Sequence, residues 1–161
     1  MIRKQSQKGF TIIEVVLVLA IAALIFLIVF LAVPALQRSQ RDTQRRTDVG
    51  RLVTSITNYA GNHQGTLPSP VNTAYLNKYL RVAGDTFSDP RLGDYNITAG
   101  IDTTTPASSA TFDAGLANGV MYYKAGSVCA ADGTFTSSGA GARSFGVSIV
   151  LESNDIYCQD S

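Results

Sequence analysis

Few side chains in this 161-residue sequence have the type and setting that chemistry needs. Glu14 stands inside an apolar run, between Ile12-Ile13 and Val15-Val16. An ionisable group near the centre of a membrane costs up to about 2.5–3.5 kcal/mol, less near its edge, so Glu14 is either a functional group or a group solvated at the interface. The one histidine, His63, lies between Gly61 and Gly65 with no partner at ligand spacing. Cys129 and Cys158 are the only cysteines, and five arginines (Arg38, Arg41, Arg45, Arg46 and Arg51) crowd one short stretch. Asp132, Glu152, Asp155 and Asp160 form an acidic group near the carboxyl end, but without the loop spacing of a calcium site. No nucleophile elbow, phosphate loop or metal-ligand helix occurs. The expectation is a protein that is not an enzyme and takes no cofactor.

The elements that position these residues are uneven in character. With 13 Lys and Arg against 12 Asp and Glu, the net charge of +1 excludes a whole-chain basic field for nucleic acid. Charged residues make up 16%, against about 25% in a typical soluble domain. The length suits one domain, or a small domain plus an extended element. The excess apolarity lies mostly in the first quarter, where residues 15–36 form a run of 22 without a charged or amide side chain. At about 1.5 Å per residue that is roughly 33 Å of helix, enough to cross a hydrocarbon core of about 30 Å. A cleaved secretory signal has a shorter apolar region followed by a small-residue cut site. A simple single-span anchor fits the length but leaves Glu14 unexplained.

Lys8-Gly9-Phe10-Thr11-Ile12-Ile13-Glu14, after a leader with Arg3 and Lys4 and before a long apolar helix, resembles the class III signal of type IV pilins and their pseudopilin relatives. The resemblance covers about residues 8–36. It implies that residues 1–9 are a cleaved basic leader, cut by prepilin peptidase between Gly9 and Phe10. Phe10 would become the amino terminus and be N-methylated, and Glu14 would be the assembly glutamate. Pro34 would mark a helix kink, since proline removes one backbone bond and loosens the preceding turn. It lies later than the helix-breaking proline of many relatives, and the turn before it (Phe30-Leu31-Ala32-Val33) has no glycine.

Beyond the apolar run, residues 37–48 are polar all round, and such a helix needs neighbours to prop it. Val49, Leu52, Val53, Ile56, Tyr59 and Ala60 then recur at i, i+3, i+4, i+7, with Gly61 as the stop. One helix is expected over residues 10–60: 10–36 as the membrane or filament-core half, 37–60 as the stalk and head-packing half. Residues 38–51 hold five Arg against two Asp, with no aromatic side chain for stacking on bases. Nucleic acid is therefore a possible partner but not an indicated one, because a charge run is usually a solvated or paired face.

Residues 61–161 carry five Lys and Arg against nine Asp and Glu and form the expected globular head. Thr73 is a candidate cap for a short helix presenting Tyr75, Leu76, Tyr79 and Leu80 on one face. Asp89-Pro90 with Gly93 reads as a turn before a short strand over 95–98. Asn96-Ile97-Thr98 has the form of a glycosylation sequon, read as coincidence because nothing marks a eukaryotic secretory route. Residues 100–119 read as a long exposed loop. Strands are expected over 120–124, 144–151 and 155–158, the last after a turn at Glu152-Ser153-Asn154; an antiparallel meander is the simplest pairing. The fold class is α+β: a long amino-terminal transmembrane and assembly helix packed on a small antiparallel β-sheet head, the pilin lollipop.

In many type IV pilins a carboxyl-terminal disulfide pins the last loop, and Cys129 and Cys158 are similarly placed; two free thiols are the alternative. The resemblance implies a structural subunit of a type IV pilus for adhesion, motility or DNA uptake. A pseudopilin of a type II secretion or competence system is the close alternative, and a single-span binding protein that does not polymerise the distant one. The implied partners are identical subunits in a helical filament, prepilin peptidase, the inner-membrane assembly machinery, and the membrane before assembly. The implied location is the inner or cytoplasmic membrane, then a cell-surface pilus.

Overall fold

The computed structural model describes residues 9–82, 84–99, 120–137, 139–153 and 155–161. The leader side chains Arg3, Lys4 and Lys8, the loop expected over 100–119 and the turn residue Asn154 lie outside them. The chain divides into two compact units, Met1–Gln37 and Arg38–Ser161. One helix, α1 (Ile12–Asn62, 51 residues), supplies residues to both.

In the first unit the described residues are all exposed except half-buried Ala22. Apolar side chains cover every side of this part of α1, from Ile12 at 84% exposure to Val33 at 42%. A helix that is apolar all round and covered by no protein is one whose partner is lipid or other helices. By length and composition α1 is able to cross a membrane. Pro34 lies inside α1, which is continuous through it.

In the second unit, α1 buries Val49, Leu52, Val53 and Ile56, the amphipathic face expected from their spacing. Thr43, Thr47, Thr54 and Thr57 each donate the hydroxyl proton to the carbonyl four residues back (2.8–3.0 Å). The polar part of the helix thus satisfies these hydroxyls itself. The helix ends at Asn62, two residues past the expected end at residue 60. Gln64 and Gly65 take positive φ (56° and 83°), and the Gly65 amide returns to the Ala60 carbonyl at 2.7 Å. Termination therefore comes from a left-handed turn after Gly61 rather than from Gly61 itself.

A second helix, α2 (Thr73–Tyr79), is capped by Asn72, whose Oδ1 accepts from the Tyr75 amide at 3.1 Å. The cap is one residue earlier than Thr73, at the position whose side chain reaches the third amide of the helix. A hairpin follows, β1 (Ser88–Asp89) and β2 (Gly93–Asp94). The main sheet contains β3 (Asn96–Ala99), β4 (Val120–Ala125), β7 (Phe145–Val150) and β8 (Ile156–Asp160), in the order β3-β4-β7-β8. The pairs β4–β7 and β7–β8 are antiparallel, as a meander requires, but β3–β4 is parallel. A parallel pair needs a long crossover connection, and residues 100–119 separate these two strands. The sheet is mostly antiparallel, and the wholly antiparallel meander is corrected at that one edge.

One sheet face carries Ile97, Met121, Tyr123, Val147 and Ile149 into a shared core with Leu52, Ile56, Leu76, Phe87 and Tyr95. Each large aliphatic side chain buried there contributes roughly 1.5–3 kcal/mol. A further hairpin, β5 (Val128–Cys129) and β6 (Phe135–Thr136), lies against the other face. Its Phe135 ring occupies the space over Gly146, where a Cβ would come within 2.7 Å of it. The disulfide Cys129–Cys158 (Cα–Cα 5.8 Å) ties this hairpin to β8.

Candidate assembly site

The start of α1 is built by one residue pair. Glu14 Oε2 accepts from the Thr11 backbone amide (2.9 Å) and from the Thr11 hydroxyl (2.8 Å), while Thr11 Oγ1 faces the Glu14 amide at 3.4 Å. This is a reciprocal capping box, Thr at the cap and Glu three residues on. It holds the carboxylate at the amino-terminal end of the helix, where the macrodipole favours negative charge. Both bonds use Oε2, and Oε1 has no hydrogen-bond partner among the described residues. Phe10 sits immediately before the cap and is almost fully exposed. A charged acceptor, an exposed residue 10 and an uncovered apolar helix therefore occur together at this end. Sequence reasoning picked out Glu14 but missed Thr11, although Thr-x-x-Glu before an apolar run signals a cap.

The arginine stretch resolves into ion pairs within the second unit. Arg45 is fully buried and gives Asp89 two bonds, Nε to Oδ2 (2.6 Å) and Nη2 to Oδ1 (3.1 Å). Its Nη1 reaches Asp42 (3.2 Å), and Nη2 also approaches Glu152 (3.4 Å). Arg41 clamps Glu152 with a two-pronged pair at 2.7 and 2.8 Å, and Asp42 accepts the Glu152 amide at 2.8 Å. Arg51 pairs with Asp48 (3.2 Å) and with Asp85, and Arg46 lies 5.8 Å from the centre of the Tyr157 ring. Burial by itself would raise the Asp89 carboxyl. The Arg45 guanidinium and the amides of Arg91 and Leu92 (both 2.9 Å) outweigh it and hold the pKa below the ordinary value. The Arg41 bond, chiefly, does the same for Glu152. Asp48 moves the other way, raised by burial despite bonds from the Tyr95 hydroxyl (2.9 Å) and Arg51. The stretch is thus a structural lock between α1, the β1–β2 hairpin and the turn before β8.

The other singled-out residues are dispersed. His63 is exposed, stacks on Tyr59 (centroids 3.9 Å apart) and places Nδ1 2.8 Å from the Tyr59 carbonyl. Asp132 holds the turn of its own hairpin through the Thr134 amide and hydroxyl, and Asp160 accepts from the Cys129 amide at 2.7 Å. The acidic group near the carboxyl end is not gathered into one cluster among the described residues.

Residues 4–30 match the family described as the prokaryotic N-terminal methylation motif. The amino end of the chain thus carries a prepilin-type signal before a long hydrophobic helix, as type IV pilins and pseudopilins do. No curated protein and no solved structure matches it. The motif in this pilin-like chain implies processing by a prepilin peptidase and assembly, and its hydrophobic helix suggests a membrane- or pilus-associated location. Members of the family are generally non-enzymatic structural subunits.

Proposed function

We propose that this pilin-like chain is a structural subunit of a type IV pilus. The supporting observation is the amino end, where an uncovered apolar helix begins at a glutamate held in its own cap. In this reading residues 1–9 are the leader, and prepilin peptidase cuts between Gly9 and Phe10. The new Phe10 amine is N-methylated. Residues 10–36 form the membrane-stored, then filament-core half of the helix, residues 37–60 the stalk, and 61–161 the head. Glu14 of one copy meets the Phe10 amine of the next; two unit charges at about 4 Å attract by roughly 4 kcal/mol at an effective dielectric of 20, before desolvation is subtracted. Pairing also relieves the burial of a lone carboxylate among apolar helices. Pro34 marks a kink in this half of the helix.

The test is amino-terminal sequencing and intact mass of protein sheared from the cell surface. A chain starting at Phe10, with one added methyl and two hydrogens lost to the disulfide, is the expected result. A chain starting at Met1 and confined to membranes overturns the reading. A chain starting at Phe10 but found only in the envelope, with secretion or DNA uptake lost on deletion, selects the pseudopilin alternative.

A further inference from the structure

The sequence Asn96-Ile97-Thr98 has the form of an N-glycosylation sequon, and the structure places its asparagine at the surface of the head. β3 is an edge strand of the main sheet, paired only with β4 among the described strands. Tyr95 and Ile97 point into the core (1% and 7% exposed), so alternation along the strand turns Asn96 to the opposite face, where it is exposed. Two positions earlier, Asp94 is also exposed, its carboxylate 74% accessible and 3.2 Å from Arg81. The Asn96 amide therefore stands on the outer surface of the head, clear of the core and of the charged lock.

The same position has a physical use for a bulky polar group. In register across the sheet, Asn96 opens the row Asn96–Val120–Val150–Ile156, whose three aliphatic members are only half-buried on the outer face. The β5–β6 hairpin covers this face over Gly146 and, through Gly133, over Ile156, and Asn96 lies at the opposite, β3 edge. The edge itself, Asn96-Ile97-Thr98-Ala99, has no charged residue and no proline to discourage pairing with a strand from another chain. A glycan on Asn96 stands over the Val120 end of this row, beside a strand that pairs only with β4 among the described strands.

We propose that Asn96 is an N-glycosylation site of the head. The donor is a saccharide linked through pyrophosphate to a lipid carrier. The Asn96 side-chain nitrogen forms a bond to the anomeric carbon as the bond from that carbon to the pyrophosphate oxygen breaks. The bonding pair leaves with the pyrophosphate, the amide proton goes to the transferring enzyme's base, and no redox change occurs. The proposal rests on the pilus-subunit reading in one respect, that the head lies outside the cytoplasm.

The experiment is peptide mapping by mass spectrometry of the full chain isolated from its own cells, as wild type and as Asn96→Gln, Thr98→Ala and Thr98→Ser. The expected result is a saccharide mass on the peptide containing Asn96. It should be lost in Asn96→Gln and in Thr98→Ala, where the asparagine remains, and kept in Thr98→Ser. An unmodified Asn96 in wild-type protein overturns the proposal, as does a saccharide mass that persists in Asn96→Gln. The amino-terminal peptide in the same map reports the Phe10 start independently, so failure of the glycan and failure of the pilus reading are told apart.

Discussion

Arg45→Met removes the cation at the centre of the charged lock while keeping most of its length and apolar bulk. Asp89 then loses both guanidinium bonds and retains only the amides of Arg91 and Leu92, with its side chain fully buried. Asp42 and Glu152 keep Arg41 nearby, so the uncompensated charge falls on Asp89. Breaking a buried ion pair by removing one partner costs about 3–5 kcal/mol. For a unit of this size that corresponds to a fall of roughly 10–20 °C in the unfolding midpoint. All seven tyrosines lie between residues 59 and 157 and there is no tryptophan, so circular dichroism of the full chain in detergent micelles, followed at tyrosine wavelengths, reads the second unit. Arg45→Met combined with Asp89→Asn should recover at least half of the loss, since the introduced amide oxygen still accepts the two backbone amides but carries no charge. A cost below about 1 kcal/mol for Arg45→Met, a value ordinary for an exposed pair, would refute the assignment of the lock as a buried, interdependent unit.

Other outcomes follow from the same contacts. The carboxyls of Asp89 and Glu152 titrate below their ordinary values, so the stability they contribute is complete above those values and is lost as pH falls through the lowered ones. Asp48, shifted upward, has the opposite sign, its contribution being lost as pH rises through the raised value. Acid unfolding followed by tyrosine dichroism should therefore move to higher pH in Arg41→Met, and an unchanged acid midpoint would count against the lock. Replacing Cys129 and Cys158 together by serine opens a loop of sequence separation 29 and should cost about 3–4 kcal/mol on chain-entropy grounds, read as a lower urea midpoint with a steeper slope, since the freed unfolded chain exposes more surface. Thr11→Val removes the hydroxyl that Glu14 grips and should cost about 1 kcal/mol of helix-end stability. In the pilus-subunit reading it also slows filament assembly less than Glu14→Val does; equal defects would mean that the cap, not the carboxylate, is what assembly needs. Leu52→Ala leaves a cavity under the sheet and should destabilise the head by about 2–5 kcal/mol in the same urea titration.

The parts of the fold that repeat at a fixed period were legible in sequence. Val49, Leu52, Val53 and Ile56 mark the helix face that meets the sheet, and alternation of Phe145, Val147 and Ile149 marks the core face of β7. What stayed hidden depends on partners distant in sequence. Nothing local to Asp89 says that it will be buried, because its counter-charge, Arg45, lies 44 residues earlier. The parallel pairing of β3 with β4 likewise follows from a long connection rather than from any residue in either strand. Two omissions had local signals. Thr-x-x-Glu at residues 11–14 marks a cap, and Asp132-Gly133 between Val128-Cys129 and Phe135-Thr136 marks a hairpin, with Gly133 at a φ of 80°. At the amino end, residue types alone singled out Glu14 as an isolated carboxylate in an apolar run, but not the cap it forms with Thr11.

The distribution of charge takes a different meaning once the contacts are known. In sequence, a basic stretch over residues 38–51 precedes an acidic remainder, and such a charge run is usually a solvated or paired face without a partner named by the spacing. In the fold, Arg41, Arg45 and Arg51 are consumed by Asp42, Asp48, Asp85, Asp89 and Glu152. The pairings of Arg41 and Arg45 tie α1 to Asp89 and Glu152, far along the chain, and to its own neighbouring turn at Asp42, so the basic stretch acts chiefly as the helix's attachment to the head. That attachment explains how residues 37–48, which have no apolar face, remain helical: their stability comes from buried charge pairing where residues 49–56 use apolar packing. It also separates two demands on a single helix. The apolar end is exposed among the described residues, while the polar end is fixed by contacts within its own unit. A variant that frees the arginines by neutralising Asp89 and Glu152 should gain affinity for polyanions such as heparin as it loses head stability, and retention on heparin without destabilisation would show that the pairing is not what occupies them.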